Sequence, residues 1–401
     1  MTPPPTVTVG SQDIHEDRYS RLSLIPWWNQ QKIRGTRVLV IGAGALGNEI
    51  LKNLALLGFE KIVVVDFDKV EESNLSRSVL FRSGDVGQFK AHVAARGAAA
   101  ISPLTVVRPL VANVVHECGL GMFAWSDVIL AGLDNREARL WINRSAWKMK
   151  RPWIDGAIEG INGVARVFLP GSAPCYECTL GEMDWKLLEQ RMSCNLLLRE
   201  ANAEGKVPTT PTISSIIAGI QVQEAVKLIH GLPTIASRGY IFEGLNHTSY
   251  LVEYTANPDC MSHYTHERIV ELPQRSSELT LAQLFERGKN DLGAADVTIE
   301  FSRDIVHKLV CPHCGAEDER FAPMGRIRFD EGRCRTDGQM RAVSAVHSFS
   351  GSESFGGRTL DKLGLPLFDV FTARAADREV SYLIGGDREQ VLGLDSSNRR
   401  R

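Results

Sequence analysis

The chain has 401 residues, 43% hydrophobic and 23% charged, with a formal net charge of −2. That length holds one large domain and a smaller one, and the balanced charge gives no electrostatic ground for nucleic acid or an acidic membrane as a partner. No apolar run reaches the roughly 18 residues that span a bilayer, and MTPPPTVTVGSQD lacks the basic and apolar regions of a signal peptide, so a cytoplasmic location is expected.

Residues 1–14, rich in Pro and Thr, are expected to form a flexible arm. From Arg37 an apolar run (RVLVIG) meets a glycine turn, a helical stretch (ALGNEILKNLALLG) and a second apolar run (KIVVVD). Continuous rather than alternating apolar strands mark a β-α-β unit of a parallel sheet buried on both faces. Further strands are expected at LTVVRPLV, DVILAG, PWIDGAI, VARVFLP and SYLVEYT, with helices at NREARLWINRSAWKM and TISSIIAGIQVQEAVKLIHG. The fold class predicted is α/β, a Rossmann-like, mostly parallel sheet over residues 15–265. Near Pro258 the character changes. Residues 266–390 carry short strands (DVTIEFS, RIRFD, MRAVSAVHSFS, LFDVFTAR, EVSYLIG) and one helix (TLAQLFERG), a pattern for a smaller α+β domain before a polar tail, 391–401.

Gly42, Gly44 and Gly47 form G-x-G-x-x-G between strand and helix, where free N–H groups and the helix dipole favour a phosphate. With Asp66 ending the next strand, placed for ribose hydroxyls, those two features alone point to NAD or FAD. The residues after Asp66 argue otherwise. Asp68, Glu71, Glu72, Asn74 and Arg77 follow closely, Lys90 comes soon after, and Asp134 ends the DVILAG strand. Cations around a triphosphate, with carboxylates left for a metal, suit nucleotidyl transfer rather than hydride transfer.

Eight cysteines in a chain of this kind do not read as a disulfide framework. Cys175 and Cys178 form one CxxC, Cys311 and Cys314 another; Cys260 opens C-x-x-H with His263, and Cys334 opens C-x-x-D with Asp337. Metal ligation accounts for these spacings. Cys311, Cys314, Cys334 and Asp337 would form one site, with His347 a rival for the fourth place. Cys118 and Cys194 stand outside the pairs.

Together RYSRLSLI, VLVIGAGALGNEILKNLALLGFEKIVVVDFDKVEESNLSR, DVGQFKA, GLDNREAR and PWIDGAIEGINGVARVFLPGSAPCYEC resemble the E1-like family. That family includes molybdopterin- and thiamine-biosynthesis adenylyltransferases and the catalytic halves of ubiquitin-like activating enzymes. The resemblance covers about residues 17–264. It implies ATP and Mg²⁺ in the cleft: Gly42, Gly44 and Gly47 on the phosphates, Asp66 on the ribose, Asp68, Asn74, Arg77 and Lys90 around the polyphosphate, and Asp134 at the magnesium. It implies that Arg21 enters the site of the other subunit of a homodimer. Ser78 departs from the family's usual Gln. The resemblance also implies a structural Zn²⁺ on Cys175 and Cys178, completed by Cys260 and His263; the competing completion uses Cys311 and Cys314. It sets Cys194 where thioester-forming members carry their nucleophile. The partners implied are a ubiquitin-like protein with a C-terminal glycine and an E2-like conjugating protein, recruited by a C-terminal domain of ubiquitin-fold kind. This domain order resembles the stand-alone activating enzymes of bacterial ubiquitin-like systems, several of which serve in antiphage defence. The alternatives are a sulfur-carrier adenylyltransferase and a non-catalytic nucleotide-binding scaffold.

Overall fold

The computed structural model describes residues 17–172, 174–193, 208–323, 326–327 and 330–393. The expected arm over 1–14, the tail from 394 and Cys194 with the segment after it lie outside them.

The first sheet has eight strands: β1 Arg37–Ile41, β2 Lys61–Val65, β3 Val106–Leu110, β4 Val128–Gly132, β5 Trp153–Glu159, β6 Asn162–Phe168, β7 Arg238–Glu243 and β8 Thr248–Glu253. Their order is β3-β2-β1-β4-β5-β6-β7-β8. The first five run parallel, and β6, β7 and β8 continue the sheet antiparallel. The connections reverse direction between β1 and β4, which opens a crevice at the carboxyl ends of those strands.

Helices α1 Ser20–Ser23 and α2 Gln30–Gly35 precede β1; α3 Ala45–Leu57 and α4 Lys90–Ile101 follow β1 and β2. Next come α5 Val114–Glu117, α6 Leu120–Trp125, α7 Arg136–Lys148, α8 Glu182–Ser193 and α9 Pro211–His230. The last of these carries its boundaries in its sequence. Thr210 caps it, Pro211 opens it, and Gly231 ends it in the left-handed region. Val38, Val40, Ile62 and Val64 face α3, α4 and α9 in one core. The alternate residues Leu39, Ile41, Val63 and Val65 lie in a second core with α6 and α7. Both faces are covered, so the inner strands read as unbroken apolar runs.

The second unit contains β9 Ile269–Leu272, α10 Leu281–Leu292, β10 Thr298–Val310, β11 Glu317–Pro323, β12 Ala342–Phe349, β13 Val370–Ala375, β14 Arg378–Ile384 and α11 Arg388–Leu392. Its sheet runs β11-β10-β13-β14-β9, with β12 also on β10, and the last strand lies parallel to the first. Of the strand expected at RIRFD, Arg326, Ile327 and Asp330 are described and none of the three is in a strand. Asp330–Gly332 forms a 3-10 turn, and the strand lies earlier, at Glu317–Pro323. Helix α11 extends into the stretch expected as tail because Leu392 is buried in the second core.

The two units share that core: Phe368, Val370 and Leu383 pack with Leu39, Ile41 and Trp153. Polar bonds reinforce the seam. Asp369, 1% exposed, accepts from the Leu120 N–H at 2.7 Å and from Ser302 Oγ at 2.7 Å. Arg303 donates to the carbonyls of Val115 (2.8 Å) and Cys118 and lies over the Trp141 ring. The second unit therefore buttresses the wall formed by α5, α6 and α7. Among the described residues no helix is long and apolar enough to cross a membrane.

Candidate functional site

A cleft of about 1820 Å³ opens at the crevice between β1 and β4. Its floor is the glycine turn, shaped by close approach. A Cβ at Gly47 would stand 1.9 Å from the Gly42 carbonyl oxygen, and one at Gly42 (φ +93°) would stand 2.5 Å from Gly132 O. Gly44, by contrast, faces open space, so a ligand can approach its backbone. Asn48 locks the turn from below. Its Nδ2 donates to Ala43 O (2.7 Å) and Gly44 O (3.0 Å), and its Oδ1 accepts from Leu80 N (2.9 Å). The turn leads into α3, whose N-terminal N–H groups attract anions.

One wall is the stretch after β2. Asp66 accepts from the N–H groups of Ala43 (2.7 Å) and Asp68 (2.8 Å), which fixes its carboxylate at the strand end. Burial raises its pKa, against the pull of Lys90 and the two N–H donors. Lys90, first residue of α4, pairs with Asp68 at 2.7 Å. The Asn74 side chain caps its own turn, accepting from Glu71 N at 2.9 Å. Arg77 donates to Ser73 O at 2.6 Å, and the buried Ser78 lies beside it. Asp134, exposed after β4, lines the opposite wall. Thus Gly42, Gly44, Asp66, Asp68, Asn74, Arg77, Lys90 and Asp134 all line one cleft. Gly47 lies in the turn beneath it. Arg21 is exposed on α1 and does not line the cleft of its own chain. Cys194 lies outside the described residues.

The cleft continues past the nucleotide-sized end, along β5, β6 and β7 to Thr209 and Glu243. Ala157, Glu159, Asn162, Val164, Ile241 and Glu243 line this extension.

Beside it, Cys175, Cys178, Cys260 and His263 converge, their donor atoms within 4.8 Å of one another. Sγ of Cys175 is 3.7 Å from that of Cys178 and 3.6 Å from that of Cys260, and Cys178 Sγ is 3.4 Å from His263 Nε2. Tetrahedral zinc with bonds of about 2.3 Å to sulfur requires S···S distances of about 3.8 Å, so this donor set fits the ion. Cys311 and Cys314 belong to a separate cluster with Cys334 and Asp337, which excludes the competing completion; His347 is on β12, outside that cluster. Cys118 is buried, and burial pushes its thiol up to about 12, an inert group.

A profile of the ThiF family matches residues 16–262, more than half of the chain. The chain belongs to the ThiF family. It is 42% identical over 157 residues to the Nedd8-activating enzyme E1 catalytic subunit of Drosophila melanogaster, a match covering 36% of this chain and 35% of that protein. It is 33% identical over 256 residues to the probable adenylyltransferase/sulfurtransferase MoeZ of Mycobacterium tuberculosis, covering 60% of this chain and 61% of that one. The chain thus spans little more than a third of the NEDD8-activating relatives it matches, such as that of Schizosaccharomyces pombe (35%). The solved structure of E. coli MccB with ATP has the same fold, with a TM-score of 0.52 and 22% identity over 62% of this chain and 75% of that chain.

In this ThiF-family domain the sequence reading missed the group beneath the cleft. Asp155 on β5, wholly buried, takes Arg139 Nε on Oδ1 at 2.8 Å and Arg166 Nε on Oδ2 at 3.0 Å. Arg139 also donates to Leu133 O and Gly156 O, which fixes the backbone next to Asp134. Arg166 lies 5.0 Å from the centre of the Tyr176 ring, which carries the arrangement to the Cys175–Cys178 loop. That loop is further held by Glu177, which accepts from Arg144 Nε (3.1 Å) and Nη2 (3.0 Å) and from Ser262 Oγ. The signal was present in the sequence: an Asp inside WIDGAI and an Arg inside VARVFLP are charges in the middle of buried strands, where a charge needs a partner.

Proposed function

We propose that this chain adenylates the C-terminal carboxylate of a ubiquitin-like protein and then takes up the acyl group on Cys194. The observation that carries the first step is the cleft itself. A glycine turn open at Gly44, the carboxylate of Asp66 fixed beside it, and Lys90, Arg77 and Asp134 around it suit a nucleoside triphosphate. The extension over β5–β7 suits an extended tail ending in glycine. The partner's carboxylate oxygen attacks the α-phosphorus, the bond to the bridging oxygen breaks, and pyrophosphate leaves. Lys90 and Arg77 offset the charge that develops on the phosphates, and the Gly44–Leu46 backbone at the start of α3 orients them. Mg²⁺, when held beside Asp134, would neutralise phosphate charge. Arg21 of a second copy would add a cation from outside.

In the second step the Cys194 thiolate attacks the acyl carbon, AMP leaves, and a thioester forms. Two observations support Cys194 being in reach. Helix α8, which ends at Ser193, is tied to the cleft by Asp184 and Arg136 at 2.7 Å, and Ser193 is about 14 Å along the helix from Asp184. The chain returns at Thr209, which lines the cleft, where Gly160 N donates to Pro208 O at 2.7 Å. An E2-like protein would accept the thioester, and the ion on Cys175, Cys178, Cys260 and His263 would be a structural zinc.

Hydroxylamine trapping tests the proposal: incubated with ATP and a glycine-ended carrier, the chain should yield a carrier hydroxamate at its last residue. A carrier left unmodified, with ATP bound but intact, would refute it. The match to MoeZ, longer than that to the Nedd8-activating subunit, favours a second reading, a sulfur-carrier adenylyltransferase. A DTT-sensitive carrier adduct lost in Cys194→Ala supports the thioester; hydroxamate formed without any such adduct supports the second reading.

A further inference from the structure

Two loops at one end of the second sheet repeat a single backbone design. Cys311-Pro-His-Cys314-Gly315 joins β10 to β11, and Cys334-Arg-Thr-Asp337-Gly338 precedes β12. In each, the fifth residue is a glycine in the left-handed region, with φ of +70° at Gly315 and +71° at Gly338. Each glycine N–H donates to the carbonyl of the first cysteine, at 3.0 Å and 2.9 Å respectively. Each first cysteine N–H in turn donates to the residue after the glycine: Cys311 to Ala316 O at 2.9 Å and Cys334 to Gln339 O at 2.8 Å. Superposing the two designs puts Asp337 in the place of Cys314.

The four side chains face one another. Their donor atoms lie within 4.8 Å, with Cys314 Sγ 3.6 Å from Cys334 Sγ and Cys311 Sγ 3.4 Å from Asp337 Oδ2. Zinc bonds of about 2.3 Å to sulfur and about 2.1 Å to oxygen require separations of about 3.6–3.8 Å. The carboxylate is held for the task. Gln339 N–H donates to Oδ1 at 3.0 Å, while Oδ2 turns toward the thiols with His313 Nδ1 at 3.0 Å, an outer partner that orients a ligand.

The surroundings explain why a link is needed there. Beyond Glu300, β10 leaves β13, and from Ile305 it pairs with β11 and β12 alone. Val306 and Leu309 are fully buried in this tip yet belong to none of the three apolar cores. Ile305, Phe321 and Phe349 fasten the base of the three strands to the third core, and the short end beyond them has too little apolar contact to hold three strands without a cross-link.

The geometry points to a second zinc ion, bound by Cys311, Cys314, Cys334 and Asp337, that staples the tip of β10, β11 and β12. On binding, the three thiols release their protons to water. The inference stands independently of the adenylation reading.

The test is metal content of the purified full-length chain after passage over a chelating resin. The wild type should carry two zinc ions per chain. Cys334→Ser and Asp337→Ala should each carry one, as should Cys260→Ser, which empties the other site. Asp337→Cys, which restores the second cysteine of the loop, should keep two and so controls for folding. With Co²⁺ in place of zinc, each site offers three thiolates, so Cys334→Ser should halve the thiolate-to-cobalt charge-transfer band. Hydrogen exchange of β11 and β12 should quicken in Asp337→Ala and not in Cys260→Ser. A single zinc that disappears in Cys260→Ser, iron in place of zinc, two ions retained in Asp337→Ala, or unchanged exchange at β11 and β12 would each overturn the proposal.

Discussion

Replacing Asp155 by Asn keeps the shape of the side chain under the cleft and removes its charge. In the wild type the carboxylate sits wholly buried between Arg139 and Arg166. The Asn variant leaves two guanidiniums facing each other, and its NH₂ points at a donor. Breaking a buried pair from one side costs about 3–5 kcal/mol, set against a total stability of about 5–15 kcal/mol. With a urea dependence of about 3 kcal/mol per molar, the unfolding midpoint should fall by about 1 M or more. Tryptophan fluorescence reads this locally, since Trp153 is two residues away, fully buried and stacked on Phe168. The difference should also depend on pH. Burial alone would raise the Asp155 pKa, but Arg139 and Arg166 hold it below the ordinary 3.8, so its stabilisation is present above that value and is lost only as pH falls further. The gap between wild type and variant should therefore be full at neutral pH and close in strong acid. A midpoint shift below about 0.3 M at neutral pH would refute the buried-pair argument.

Further outcomes are expected. Gly44→Ala should fold normally, because its Cβ meets nothing, yet weaken ATP binding about ten-fold or more by calorimetry, while Gly47→Ala should be strongly destabilised. Deleting residues 266–401 should destabilise the first domain, and Asp369→Ala should lower stability by about 3 kcal/mol by leaving Arg303 buried without its acid, both read by thermal melting. His266, buried beside Lys148, Arg374 and Lys150 and bonded to Ser381 Oγ at 2.8 Å, has its pKa lowered to about 4 by burial and those cations. The unfolded chain takes up that proton near pH 6.5, so stability should fall by about 3 kcal/mol between there and pH 4, and a His266→Gln variant should lack most of that slope.

The parallel half of the first sheet was legible because buried strands write themselves as unbroken apolar runs, and the glycine turn with Asp66 marked where they meet the cleft. Strands β7 and β11 were not. RGYIFE carries a glycine and charges at both ends and is half-buried along its length, and EDERFAP is half charged because Glu317 and Glu319 meet solvent. RIRFD reads as a strand by alternation, yet its last residue, Asp330, opens a turn through Gly332 that the Arg341 guanidinium pins on Glu331 O. The shared core between the two units was invisible for a different reason. Phe368 and Leu383 look like any core residues, and nothing in their spacing says which domain they cover. Cysteine spacing showed four short local pairs but left open which pair completes Cys175 and Cys178; the fold brings Cys260 and His263 to them. The buried Asp155 group needed the opposite habit, asking of each charge inside an apolar strand what answers it.

The most direct test of the central claim is ATP–pyrophosphate exchange with labelled pyrophosphate, a glycine-ended ubiquitin-like carrier and the full-length chain. Exchange should require the carrier, should survive Cys194→Ala, and should be lost in Arg77→Ala and Lys90→Ala variants that still fold. Exchange absent with every glycine-ended carrier, or equally fast without one, would contradict adenylation of a protein terminus.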